Sequence, residues 1–204
     1  MLLHEKLKDW NLILASQSPR RRQLLQDAGL SFQLAPRFEC EETYAESMPA
    51  EQVAEYLSRL KSEAYPHALG ERDVLLTADT VVVASGRVLG KPADREDAIE
   101  MIALLSGREH QVITGVTLRK KQSVMSFSAV SKVRFRRLRA EEIEYYVDTY
   151  RPFDKAGAYG IQEWIGYVGI ERLEGSFYNV MGLPVCRLSE ILRQLAPELM
   201  GDML

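Results

Sequence analysis

The sequence predicts a mixed α/β fold, an elongated sheet of parallel and antiparallel strands flanked by helices. Three observations lead there. Short apolar runs with strand character alternate with amphipathic stretches at helical spacing, the pattern of an interleaved chain. Two pairs of β-rich runs are separated only by short turns, Ser85-Gly86 and Lys120-Lys121-Gln122, which argues for a mixed rather than a purely parallel sheet. No repeat, low-complexity tract or linker divides the chain, so residues 1–204 are expected to form a single domain.

The elements follow in order. Asn11 to Ser16 is a short apolar run that ends in serine, as a buried strand would. Ser18 then offers an N-cap and Pro19 a preset first helical position, so a helix should run from Pro19 to about Ala28, with Gly29 closing it. Ser31 to Pro36 can form a second strand, followed by an acidic loop through Glu39-Cys40-Glu41-Glu42. Pro49 to Tyr65 carries Val53, Tyr56, Leu57, Leu60 and Ala64 at helical spacing.

Val74 to Ala84 is the strongest strand signal, and Arg87 to Leu89 should pair back on it as a hairpin. Arg95 to Leu105 reads as an amphipathic helix. His110 to Arg119 and Val124 to Arg136 read as a pair of strands, and Ala140 to Tyr150 as a helix. Phe153 to Gly182 is Gly-rich and aromatic, with strand character around Tyr167 to Leu173. Pro184 to Leu195 is the last helix, and the tail beyond Pro197 is expected to fray.

Composition narrows the function. The net charge of −3 argues against a broad basic face for nucleic acid, so any attraction for anions must be local. The two cysteines, Cys40 and Cys186, stand far apart with no zinc-ligand spacing, which fits reduced, mostly buried thiols in a cytoplasmic protein. Neither a secretory leader nor a run of about 18 apolar residues is present, so no membrane is expected.

Three constellations carry chemistry. The first is Ser16-Gln17-Ser18-Pro19-Arg20-Arg21-Arg22, at a strand-to-helix junction. Arginines in a first helical turn oppose the macrodipole by about 0.3–1 kcal/mol each. A bound phosphate reverses that sign, because guanidinium groups and free N–H groups converge on it. Taken alone, the segment fits either a phosphate site or a solvated basic patch. It lacks the glycine cradle and lysine of a P-loop.

The second is Asp79, a carboxylate inside the apolar run Leu76-Thr77-Ala78-Asp79-Thr80-Val81. Such a group must be paired, metal-bound or exposed at a strand end. Alternation sets Thr77, Asp79 and Val81 on one face and Ala78, Thr80 and Val82 on the other. With Thr80 and Lys91 alongside, Asp79 suits a general base or a Mg²⁺ ligand. Gly90 and Pro92 fix the backbone around Lys91, a positioned charge for polyphosphate. Lys61 and Glu41 are unremarkable on their own.

The third runs from Asp154 to Gln162. Its small residues let a flat ligand approach, and Tyr159 can pack beside it. The Gln162 carboxamide offers a donor beside an acceptor, the pair that reads N3–H and O4 of thymine or uracil. His110 fits a buried hydrogen bond or a loop support better than catalysis.

Six stretches in order resemble the Maf family of nucleotide pyrophosphatases. They are Leu14 to Arg21, Ala78 to Val82, Gly90-Lys91-Pro92, Ser106-Gly107 through Val112, Asp154 to Gln162, and Asn179 to Pro184. The resemblance covers nearly the whole chain. It implies a fold akin to the inosine-triphosphate pyrophosphatases, with two lobes around a cleft, and a homodimer. It also implies cleavage between the α- and β-phosphates of a nucleoside triphosphate with a divalent cation, Mg²⁺ or Mn²⁺.

Carried over by motif, Asp79 resembles the proton acceptor that activates water. Arg20, Thr80 and Gln162 match positions tied to substrate choice. Arg21, Lys61 and Lys91 match polyphosphate-binding residues, Ser16 lies in the same motif as Arg20 and Arg21, and Glu41 matches an acidic metal or water ligand, with Asp79 as the other metal ligand. The Asp154–Gln162 stretch resembles the subgroup that acts on dTTP and UTP. Cys40 stands where an acidic residue often precedes the matched glutamate, which leaves Glu42 as the other assignment. A sensor that binds a pyrimidine nucleotide and acts through a partner in division control would keep the arginines but need no Asp79. A phosphatase that releases orthophosphate is the second alternative.

Overall fold

The computed structural model describes residues 2–121 and 123–195. Helices and strands alternate as α1 (Leu3–Lys6), β1 (Asn11–Leu14), α2 (Pro19–Asp27), β2 (Gln33–Leu34), α3 (Ala50–Ala64), β3 (Asp73–Ala84) and β4 (Arg87–Leu89). There follow α4 (Arg95–Leu105), β5 (Glu109–Arg119), β6 (Val124–Phe135), α5 (Ala140–Tyr150), a 3₁₀ turn (Ala156–Ala158), α6 (Trp164–Gly169), β7 (Ile170–Glu174), α7 (Phe177–Met181) and α8 (Val185–Leu195). The expected fraying beyond Pro197, and Gln122 of the turn between β5 and β6, lie outside the described residues.

The seven strands of the described residues form one mixed sheet in the order β2-β1-β3-β5-β6-β7, with β4 added to β3. β1 runs parallel to both β2 and β3, and every other pairing is antiparallel. β3 is the strand on which the layout turns. Along one edge it pairs with β5 from Leu75 to Val83. Along the other it pairs with β1 only as far as Leu76, and β4 joins only at Val82. Over Thr77–Val81 that second edge has no strand beside it among the described residues.

The two faces of β3 serve different packing. On one face Val81 and Val83 meet Val53, Ala54 and Leu57 of α3. α3 lies directly on the sheet because β5 has Gly115 beneath it, where an added Cβ would stand 2.3 Å from the Ala54 backbone. Gly115 is the cross-strand partner of Asp79. On the other face Leu76 and Ala78 belong to a core with Leu24 and Leu25 of α2 and Leu188 and Leu192 of α8. Val82 and Ala84, further along the same face, belong to a second core with Ile102 of α4, Tyr146 of α5 and Phe135. Thr80 falls at the seam between those two cores.

Several expectations need correction. The strand expected around Tyr167 to Leu173 begins only at Ile170, because Trp164–Gly169 is helical. Gly166 explains the tight turn there: a Cβ on it would stand 1.8 Å from the Ile161 carbonyl oxygen. α7 was not legible in the Gly-rich stretch. Its start is capped by the Ser176 hydroxyl, which accepts from the Asn179 N–H at 3.2 Å, and Gly182 ends it at φ +119°. Cys186 is exposed and Cys40 half-buried, both as free thiols. The buried stripe of α8 runs through Leu188, Ile191 and Leu192, and Cys186 lies off it. Among the described residues no helix is long and apolar enough to cross a membrane.

Candidate active site

A cleft of about 830 Å³ opens where β3 lacks its neighbour. Its walls bring together Ser16, Arg20 and Arg21 from the β1–α2 junction, Lys61 from α3, Asp79 and Thr80 from β3, Lys91 after β4, and Gln162. Of the sequence-derived candidates only Glu41 is not among the residues lining it.

The α2 start is built as the sequence predicts. The Ser18 hydroxyl accepts from the Arg21 N–H at 3.4 Å, and Pro19 occupies the first turn. The Arg21 guanidinium is fixed in three directions: Nε donates to the Gly182 carbonyl at 2.8 Å, Nη1 to Ser16 Oγ at 3.2 Å, and Nη2 to Thr80 Oγ1 at 3.0 Å. All three acceptors are neutral. Burial pulls this guanidinium below its usual pKa, while nearby Asp79 pulls it back up.

Thr80 Oγ1 in turn meets Thr114 Oγ1 at 3.0 Å, and Thr114 donates to the Asn179 carbonyl at 3.0 Å. Asn179 is wholly buried, and its Nδ2 donates to the Val112 carbonyl at 3.1 Å and to Ser131 Oγ at 3.0 Å. Buried hydroxyls and amides linked in this way hold one another's geometry, since leaving any one unpaired is costly. The Asn179 role was not drawn from the sequence, although Asn179 opens one of the six matched stretches.

Arg20 is held differently. Its Nη1 donates to Asp154 Oδ2 at 2.6 Å, across the mouth of the cleft. The same carboxylate accepts from Lys155 Nζ at 2.8 Å. Burial alone would raise the Asp154 carboxyl, but the bonds from Lys155 and Arg20 outweigh it and bring the group down to about 2. Lys91 is exposed on the wall.

On the α3 side of β3 the charge balance reverses. Lys61 Nζ is hydrogen-bonded to Asp79 Oδ1 and also lies 2.9 Å from Glu42 Oε2. The Lys61 and Asp79 side chains are only 15% and 14% exposed, so the pair is largely shielded from water. Two carboxylates thus share one ammonium. Both glutamates are exposed, but it is Glu42 that reaches Lys61 and lines the cleft, and Glu41 does neither.

The last wall is the loop from Asp154 to Glu163. Gly157, at φ +67°, packs so closely that an added Cβ would meet Val82 at 2.8 Å, and its N–H donates to the Gly90 carbonyl at 2.9 Å. That bond ties the loop to the Lys91 turn. Tyr159 is 5% exposed, with its hydroxyl 2.8 Å from His110 Nε2. Burial lowers the His110 pKa to about 4, so the ring is neutral at pH 7 and serves as a buried hydrogen-bond partner. Gln162 Oε1 is buried and has no hydrogen-bond partner among the described residues.

The arrangement offers fixed cationic groups on one side of β3 and a carboxylate pair on the other, with an unpaired amide acceptor at one end. Such a set can grip a polyanion, hold a hard cation against it and accept a proton from water.

Comparison with known proteins places the chain in a family. Residues 11–195 match the family model described as "Maf-like protein". A dTTP/UTP pyrophosphatase of Porphyromonas gingivalis is 50% identical over 89% of this chain and 92% of its own. One from Bacteroides fragilis is 46% identical over 93% of this chain and 98% of its own. Among solved structures, a HAM1 protein from Coxiella burnetii covers 91% of this chain and 99% of its own, at 19% identity and a TM-score of 0.46.

Proposed function

The chain belongs to the Maf-like family, and from that premise we propose that it hydrolyses dTTP and UTP to the monophosphate and pyrophosphate. The observation that carries the reading is the unpaired stretch of β3, from which Thr80 faces the Arg21 guanidinium and Asp79 faces Lys61. Relatives at 42–50% identity bear the name dTTP/UTP pyrophosphatase over nearly their full length, which supports the pyrimidine substrates. We read residues 1–204 as one such domain. The free thiols are in keeping with the cytoplasm, and the resemblance implies a homodimer.

In this reading Arg21, Arg20, Lys91 and the Ser16 hydroxyl bind the polyphosphate. Arg20 exchanges Asp154 for a phosphate oxygen, one charged acceptor for another. Asp79 accepts the proton of the attacking water, and Lys61 supplies its counter-charge in the free protein. Gln162 Oε1 accepts the N3–H of uracil or thymine, which gives that buried oxygen the donor it lacks. Thr80, held by Thr114, keeps Arg21 in register.

The residues fit a divalent cation. Lys61 Nζ already sits where a positive charge is shared by Asp79 and Glu42, and Mg²⁺ is commonly held by one or two carboxylates together with substrate phosphates. Asp79 and Glu42 would hold it, with Glu42 favoured over Glu41 by its place in the cleft. Bound there, Mg²⁺ or Mn²⁺ neutralises the charge that develops on the phosphate oxygens.

The test is product analysis with purified protein, each common nucleoside triphosphate, and Mg²⁺ or Mn²⁺. UMP or dTMP with pyrophosphate is the expected result. Orthophosphate as the product, or tight binding of dTTP and UTP without turnover, would overturn the proposal.

A further inference from the structure

Gln162 stands on a segment fastened by Tyr146 and Glu163, which do not line the cleft, together with Lys155, which does. Tyr146 of α5 is fully buried, and its hydroxyl accepts the Gly160 N–H at 3.0 Å and donates to Glu163 Oε2. Burial pushes the Tyr146 phenol above its usual range, so it remains protonated and able to donate. The other Glu163 oxygen lies 3.0 Å from Lys155 Nζ, whose side chain is 9% exposed. The Glu163 N–H also returns to the Gly160 carbonyl at 3.0 Å. The two anchored residues, Gly160 and Glu163, bracket Ile161 and Gln162.

Two further features show that this segment needs external fastening. Ala158, just before it, holds φ +58°, a left-handed conformation that an alanine adopts only under constraint. Gly160 is packed so tightly that an added Cβ would stand 2.9 Å from the Glu163 carboxyl carbon. A buried lysine–glutamate pair adds little net stability, because desolvation offsets attraction. Its value here lies in geometry.

That geometry matters because a glutamine carboxamide is an ambiguous reader. Presented one way it complements N3–H and O4 of uracil, and rotated by half a turn it complements N3 and the N4 amino group of cytosine. Discrimination between the two bases therefore depends on how rigidly the carboxamide is carried. We propose that Tyr146 and Glu163 are positioning residues for Gln162, with Lys155 as the buried strut, and that they set the preference for uracil and thymine over cytosine. The inference rests on Gln162 reading the base edge.

The test compares kcat/KM for UTP and CTP in wild type, Tyr146→Phe, Glu163→Gln, Gln162→Ala and the Gln162→Ala double variants. Tyr146→Phe keeps the ring and removes only the hydroxyl; Glu163→Gln keeps the shape and removes the charge. Each should reduce the UTP:CTP ratio roughly tenfold, about the size of one well-made hydrogen bond. Inhibition by inorganic triphosphate, which probes the phosphate side alone, should stay within about threefold. In the Gln162→Ala background the same substitutions should change the ratio by less than about twofold, since residues acting through one another are not additive. Should Tyr146→Phe fail to fold, Glu163→Gln decides alone.

A UTP:CTP ratio left intact by Glu163→Gln, or an effect that persists undiminished without Gln162, would overturn the inference. If instead Gln162→Ala itself leaves the ratio at the wild-type value, it is the base-reading role of Gln162 that fails.

Discussion

The two faces of β3, one residue apart, handle charge in opposite ways. On the α2 side the Arg21 guanidinium is hydrogen-bonded only to neutral acceptors among the described residues, Gly182, Ser16 and Thr80. On the α3 side Lys61 is outnumbered by Asp79 and Glu42. Consecutive side chains on a strand point to opposite faces, so Asp79 and Thr80 divide a cation-seeking pocket from an anion-seeking one without any intervening wall. A metal–polyphosphate complex carries both signs, and this strand offers each sign its complement.

That contrast can be broken from either side. The largest effect is expected from Asp79→Asn, which keeps the shape but removes the proposed proton acceptor. Turnover of dTTP should fall on the order of 10²–10⁴-fold, with nucleotide binding still measurable by calorimetry. Turnover within a few-fold of wild type would end the general-base assignment. Arg21→Lys comes next, because a lysine cannot satisfy three acceptors in the guanidinium plane. We expect a loss of about 1.5–3 kcal/mol in transition-state binding, measured as kcat/KM for UTP.

A smaller and more diagnostic effect concerns the acidic loop. Glu42→Gln should raise the Mg²⁺ concentration needed for half-maximal rate by roughly tenfold, whereas Glu41→Gln should leave it nearly unchanged. The reverse order in a metal titration would return the ligand role to Glu41. Removing the metal with a chelator should abolish turnover in both variants, and added Mg²⁺ should restore it.

The smallest effect lies away from the cleft. His110 is neutral in the fold because burial lowers its pKa from 6.5 to about 4. The unfolded chain therefore binds a proton that the folded one does not, and stability falls as pH drops from 6.5 toward 4. Between pH 7 and pH 5 this amounts to about 2 kcal/mol. His110→Gln should flatten that part of a denaturation-versus-pH profile, and an unchanged slope would show that other groups govern it.

Much of this was legible in the sequence, for physical reasons that differ from place to place. The helix at Pro19 was readable because its cap, proline and closing glycine are local signals. Asp79 stood out because a charge inside an apolar strand requires an explanation. α6 and α7 were not readable, since helices of 6 and 5 residues show too little periodicity, and α6 has no side-chain cap to announce it. The Arg20–Asp154 pair spans 134 positions, and no local pattern announces such a partner. Glu42 could be weighed against Glu41 in the sequence, but only the direction taken by an irregular loop brings one of them to Lys61.

The missing neighbour along Thr77–Val81 has a consequence for anyone reshaping this molecule. Engineers seeking heat resistance often lengthen strands, and here either β1 or the β4 hairpin could be extended to complete the ladder. Each added residue would occupy the space through which substrate reaches Asp79 and Thr80 in the proposed function. Improvements in robustness at this edge should therefore trade directly against turnover, and a library selected for melting temperature alone should drift toward sealed, inactive sheets.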